Sequence, residues 1–147
     1  MELHYKVYQK VKIYLDKIQC ALPNLEWIEL RTIYKECEMM VTARVTELRL
    51  IQTELLDFFD TFKNSIPYVP SSRCKAIISW YGCSRLQSLR NLSEFQEDLI
   101  EADKEITEEA GYIISDDYTP TVLKNLMIKH IDRLKRYQEP ESILKGH

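Results

Sequence analysis

Glycine is scarce in this sequence. Only Gly82, Gly111 and Gly146 occur among 147 residues, and sandwiches or barrels built from many short strands need turn glycines in larger supply. That shortage excludes most β architectures and leaves an all-α class. No run comes near the roughly 18 consecutive apolar residues that a membrane span requires, so no membrane is expected as a partner. Charge of a single sign is lacking too: 20 Lys and Arg face 23 Asp and Glu, interspersed along the chain, for a net charge of −3. Such a balance builds no positive field, and no nucleic acid is expected as a partner. The cysteines Cys20, Cys37, Cys74 and Cys83 form no C-x-x-C pair and offer none of the close Cys or His pairs of structural zinc. They read as reduced, mostly buried thiols. The opening MELHYKVYQK is charged from its second residue and lacks the apolar core of a signal peptide. A cytoplasmic protein is expected, in which the glycosylation sequon at Asn91-Leu92-Ser93 carries no meaning.

What is present is helical periodicity. The segment Leu25 to Phe62 contains neither proline nor glycine, and Ile33, Cys37, Val41, Val45, Leu48, Ile51, Leu55, Phe59 and Phe62 recur at spacings of three or four. On a 3.6-residue helix that spacing makes one apolar stripe. The stripe predicts a single helix on the order of 55 Å long at 1.5 Å per residue, along which the other helices pack. Before it, Leu3, Val7, Val11, Tyr14, Ile18 and Ala21 predict an amphipathic first helix, ended by Leu22-Pro23-Asn24 with Asn24 as cap of the second.

Residues 63–72, KNSIPYVPSS, read as the main loop. A short helix follows over residues 73–91, with Ile77, Ile78, Trp80, Tyr81 and Leu86 apolar nearly all round. Ser93 and Gln96 form a capping-box pattern that opens an acidic helix carrying Phe95, Leu99, Ala102, Ile106 and Ile113 on one face. Thr119-Pro120 reads as cap and first turn of a last helix presenting Leu123, Leu126, Met127, His130, Leu134 and Tyr137. Gly111 interrupts the acidic helix and marks either close helix packing or early fraying. All five prolines fall at predicted breaks. The chain is expected to be one domain over 1–147, with a core of 3–139 and a tail of 140–147.

The order of these segments resembles a family of ferritin-like bacterial proteins grouped as domain of unknown function 2383. Two long helices, a loop, a short Trp-bearing helix, an acidic helix and a last helix with a basic-aromatic end make up that layout. The matching residues are Glu47-Leu48, Lys75, Trp80, Glu105, Tyr112 and Asp132-Arg133. The chain departs from the pattern at Ile77 and Ile78, where the family carries His or Tyr and Arg, and at Ile131, beside which His130 stands one place early. The resemblance implies a ferritin-like four-helix bundle, antiparallel with a long crossover, and a short extra helix inserted between the second and the acidic one.

Ferritin-like bundles hold di-metal centres with a Glu from each of two helices and a Glu-x-x-His from each of the other two. No Glu-x-x-His occurs here. The candidate ligands that remain are Glu47, Glu101, Glu105 and His130, with Glu36 or Asp132 outside them; Glu101 and Glu105 also read as a solvated face, and Glu47 as a boundary carboxylate beside Arg44 or Arg49. No phosphate-binding loop, nucleophile elbow or His-Glu-x-x-His motif occurs. Two readings follow. The favoured one is a non-enzymatic bundle that has largely lost its metal ligands, binds no cofactor and acts through another protein or as a homo-oligomer, a dimer. The alternative is a carboxylate-bridged di-metal protein handling iron, oxygen or peroxide in a stress response, with iron or manganese held by those four residues.

Overall fold

The computed structural model of the chain describes residues 3–31, 35–61 and 92–136. The described residues form four helices and no strand: α1 (Tyr5–Arg31), α2 (Lys35–Phe59), α3 (Leu92–Ile114) and α4 (Thr121–Arg136). The expected short helix over 73–91 with Trp80, the loop at 63–72 and the tail at 140–147 lie outside the described residues.

The expected break at Pro23 is absent, and α1 runs through it to Arg31. Proline removes one backbone hydrogen bond and clashes with the preceding turn, at a cost of about 3 kcal/mol. The apolar repeat does not stop there, however: Ile18, Ala21, Leu22, Leu25 and Ile28 are all buried, and that burial outweighs the local penalty. Pro23 itself faces solvent. Asn24 does not cap a second helix; its Nδ2 donates to the Cys20 carbonyl inside α1 at 3.2 Å.

The single helix expected over 25–62 is therefore divided, residues 25–31 closing α1 and α2 beginning at Lys35. The two helices run antiparallel. Gln19 meets Gln52, Glu26 meets Arg49 and Glu29 meets Thr42, so one apolar stripe folds back on the other instead of extending.

Between α3 and α4 the chain turns at 115–120. Tyr118 N donates to Asp116 Oδ1 at 2.9 Å, an Asx turn. Thr119 does not cap α4 as expected. Its hydroxyl instead donates to the Ile113 carbonyl at 2.6 Å, closing the open end of α3, while Pro120 supplies the first carbonyl of α4 to Lys124 N at 3.0 Å. Gly111 leaves open space where a Cβ would stand, and α3 continues past it to Ile114. It marks neither close packing nor fraying.

Lys17 pairs with Glu109 and Lys10 with Asp116, so α1 and α3 are also antiparallel. It follows that α2 and α3 run the same way, and the end of α2 and the start of α3 lie at opposite ends of the bundle. Helix α1 lies beside α2 and α3, and α4 beside α3 and α2. The core between them is aliphatic, with Val7, Val11, Ile18, Val41, Leu48, Ile51, Leu55, Leu99, Ile106 and Leu123 buried. Cys37 is a free, buried thiol as expected. Cys20 is disulfide-bonded, which corrects the expectation of reduced thiols.

Candidate functional site

A column of polar side chains runs through this apolar core, and each helix contributes to it. On α2, Arg44 and Glu47 stand three residues apart and share one face; both are buried, Arg44 completely. On α4, His130 and Arg133 repeat the same spacing. Asp103 comes from α3 and Tyr14 from α1, each with 0% of its surface exposed.

Two arginines organise the column. Arg44 grips Asp103 with one edge of its guanidinium, Nε at 3.1 Å from Oδ1 and Nη2 at 2.9 Å from Oδ2, while Nη1 donates to the Met40 carbonyl at 2.9 Å. That fork suits a planar guanidinium far better than an ammonium group. Arg133 lies between two carboxylates of α2. Its Nε is 2.5 Å from Glu47 Oε1, a charge contact without hydrogen-bond alignment, and its Nη2 donates to Glu54 Oε1 at 3.2 Å. Two guanidiniums thus answer three carboxylates, of which Glu47 and Asp103 are buried and Glu54 is half-buried.

His130 completes the centre. Its Nδ1 is 3.2 Å from Glu47 Oε1. A carboxylate oxygen accepts, so Nδ1 carries the proton and the Nε2 lone pair is left without a partner among the described residues. Burial holds the imidazole below its ordinary pKa, with Arg133 acting the same way, and the Glu47 contact opposes them only in part. The Tyr14 ring meets the imidazole edge-on at 5.9 Å between centroids. Burial, then the nearby Glu47 charge, push its phenol well above the usual value, and its hydroxyl likewise finds no hydrogen-bond partner among the described residues.

Of the four residues expected to gather round a metal, the fold brings Glu47 and His130 together. Glu101 is exposed and pairs with Lys104 at 2.8 Å, and Glu105 is half-buried. Glu36 and Asp132 are exposed. No group of three or more His, Cys, Asp or Glu is placed to hold a metal ion among the described residues. Sequence reasoning missed Arg44, Asp103 and Arg133 as members of the column. The signal for Asp103 was periodic: it adjoins Ala102 and stands three residues before Ile106 on the buried face of α3, inside a run read as solvated. Compared with models of known protein families, with curated proteins and with solved structures, the chain matches none.

The column and a di-metal centre differ in their chemistry. A carboxylate-bridged centre needs several anionic oxygens free to meet a cation. Here the buried carboxylates Glu47 and Asp103 each already meet a guanidinium. Glu47 and His130 by themselves do not make up a di-metal donor set. What the arrangement does chemically is fix helix register, since each pair joins different helices: α2 to α3 through Arg44, and α2 to α4 through Arg133 and His130.

Proposed function

We infer that this chain is a non-enzymatic helical bundle of ferritin-like layout that works by contact with protein, a second copy of itself included. The observation that carries the reading is the contact of Arg133 and His130 with the Glu47 carboxylate, together with Arg44 on Asp103. Fixed guanidiniums supply the positive charge that such a bundle otherwise takes from metal. Two helices running the same way with their near ends at opposite poles support the ferritin-like layout. Large apolar side chains on the surface, Leu30 at 80% and Tyr118 at 61% exposed, support contact with protein.

The experiment is metal analysis of tag-free protein purified without chelators, followed by titration with ferrous iron under air. The expected outcome is no stoichiometric iron or manganese and no absorbance change on oxidation. Near-stoichiometric uptake that disappears in both Glu47→Ala and His130→Ala would overturn the reading. It would favour the second one, a carboxylate-bridged protein handling iron, oxygen or peroxide. One observation supports that alternative: a histidine that gives its Nδ1–H to a carboxylate and keeps a bare Nε2 has the orientation of many metal-binding histidines.

A further inference from the structure

The sides of the bundle are not equally closed. Between the second half of α2 and the first half of α4 lies an open groove of about 510 Å³, whose walls include Glu54, Asp57, Phe58, Val122, Leu126 and Lys129. Phe58 and Leu126 pack partly against the core, and Val122 is 67% exposed. The groove is therefore an apolar strip with a helix along each edge.

The two edges differ in charge. From residue 50 to residue 61, α2 and its last turn carry Glu54, Asp57 and Asp60 and no Lys or Arg. On α4 the groove wall carries Lys129 and no acid. Asp57 and Lys129 face solvent, and neither takes part in an ion pair or hydrogen bond among the described residues. One edge is acidic, the other basic, and both flank the same apolar strip.

We propose that this α2–α4 face is the interface of a two-fold symmetric dimer whose axis runs parallel to the helices. The reason is the charge pattern. In an isologous contact each surface meets itself, so residue i touches j and j touches i. A two-fold axis parallel to the helices sets α2 of each copy against α4 of the other, so that Asp57 and Lys129, which line one groove, meet across the seam as two opposite-charge pairs while the two apolar strips join. A two-fold axis lying across the helices would set α2 against α2, acid on acid, and like charges opposed across an interface are unfavourable. The face is complementary to itself where α2 of one copy meets α4 of the other. The proposal rests on the self-association part of the functional reading and names the surface that performs it.

The test is sedimentation equilibrium on the full chain, with Asp57→Lys and Lys129→Asp made singly and together. Wild-type protein is expected to be a dimer whose affinity falls with salt. Each single variant turns two attractive pairs into two repulsive ones and is expected to weaken dimerisation by about tenfold or more. The double variant exchanges the charges and is expected to return to the wild-type affinity. A mixture of the two single variants is expected to form heterodimers, because every 57–129 pair across that interface is again of opposite sign. Helical circular dichroism identical to wild type excludes unfolding as the cause of any loss. A dimer that ignores both single substitutions overturns this face and leaves self-association standing. A monomer at millimolar concentration overturns self-association as well, and hands the groove to a different occupant.

Discussion

Asp103 is a charge held wholly inside the bundle. It accepts three hydrogen bonds from the Arg44 guanidinium with neither side chain reaching water. Removing one member of such a pair strands the other charge in an apolar medium, which costs about 3–5 kcal/mol, whereas replacing both with apolar residues of similar volume is commonly neutral or stabilising. Asp103→Asn is accordingly expected to lower the unfolding free energy by roughly that amount, while Arg44→Met combined with Asp103→Leu is expected to recover most of it. Urea denaturation of the two variants decides the point; equal losses in both would show that the pair is not what holds α2 to α3. His130 makes a different prediction. The imidazole is held below its ordinary pKa of 6.5 in the folded chain, so the unfolded chain takes up a proton first as pH falls. Stability is full above about 6.5 and declines as pH drops from there toward the lower folded value. The groups facing the imidazole are Glu47, Glu54, Arg133 and Tyr14, and burial prevails over the two carboxylates. Denaturation midpoints measured between pH 8 and pH 5 are expected to fall, and His130→Gln to remove that part of the slope. A slope unchanged in the variant would place its origin in other groups.

At the scale of elements, two helices carry residues that oppose them. Pro23 lies inside α1 and faces solvent; Pro23→Ala restores a backbone hydrogen bond to the Gln19 carbonyl and is expected to raise stability by about 1–3 kcal/mol. Gly111 lies inside α3 with no positive φ, and nothing comes within 4 Å of the place a methyl group would take. Gly111→Ala is expected to add about 1 kcal/mol by reducing the freedom of the unfolded chain. Thermal melts of the two variants, singly and combined, test both, and the gains should add because the sites share no contact. A loss at Pro23→Ala would mean that the proline ring is itself needed for packing. These cases show how local signals and the apolar repeat compete. Proline is a strong punctuation mark where the stripe also ends, and a weak one where Leu22, Leu25 and Ile28 continue it. The sequence between Arg31 and Lys35 has no proline or glycine to announce the end of one helix and the start of the next, and periodicity alone carries a stripe straight across it.

At the scale of the whole molecule, the class was written in composition. Few glycines, no long apolar run and apolar residues at three- and four-residue spacings leave packed helices as the only way to remove the stripes from water, and four helices form the described residues. No helix among them is long and apolar enough to cross a membrane. The buried faces of the acidic and last helices were legible for the same reason: Leu99, Ile106, Met127 and Leu134 are buried where the repeat put them. Partner choice in the interior was not legible. Arg44, Asp103 and Arg133 each sit among ordinary surface charges in the sequence, and a carboxylate in an acidic run looks solvated until the angular position of its helix is known. The meeting of Glu47 with His130, 83 residues apart, depends on α2 and α4 lying side by side. Helix periodicity is a property of neighbours in the chain, and the sequence alone determined it. Which charges share the core depends on how four helices are rotated against one another, and only the tertiary structure decided that.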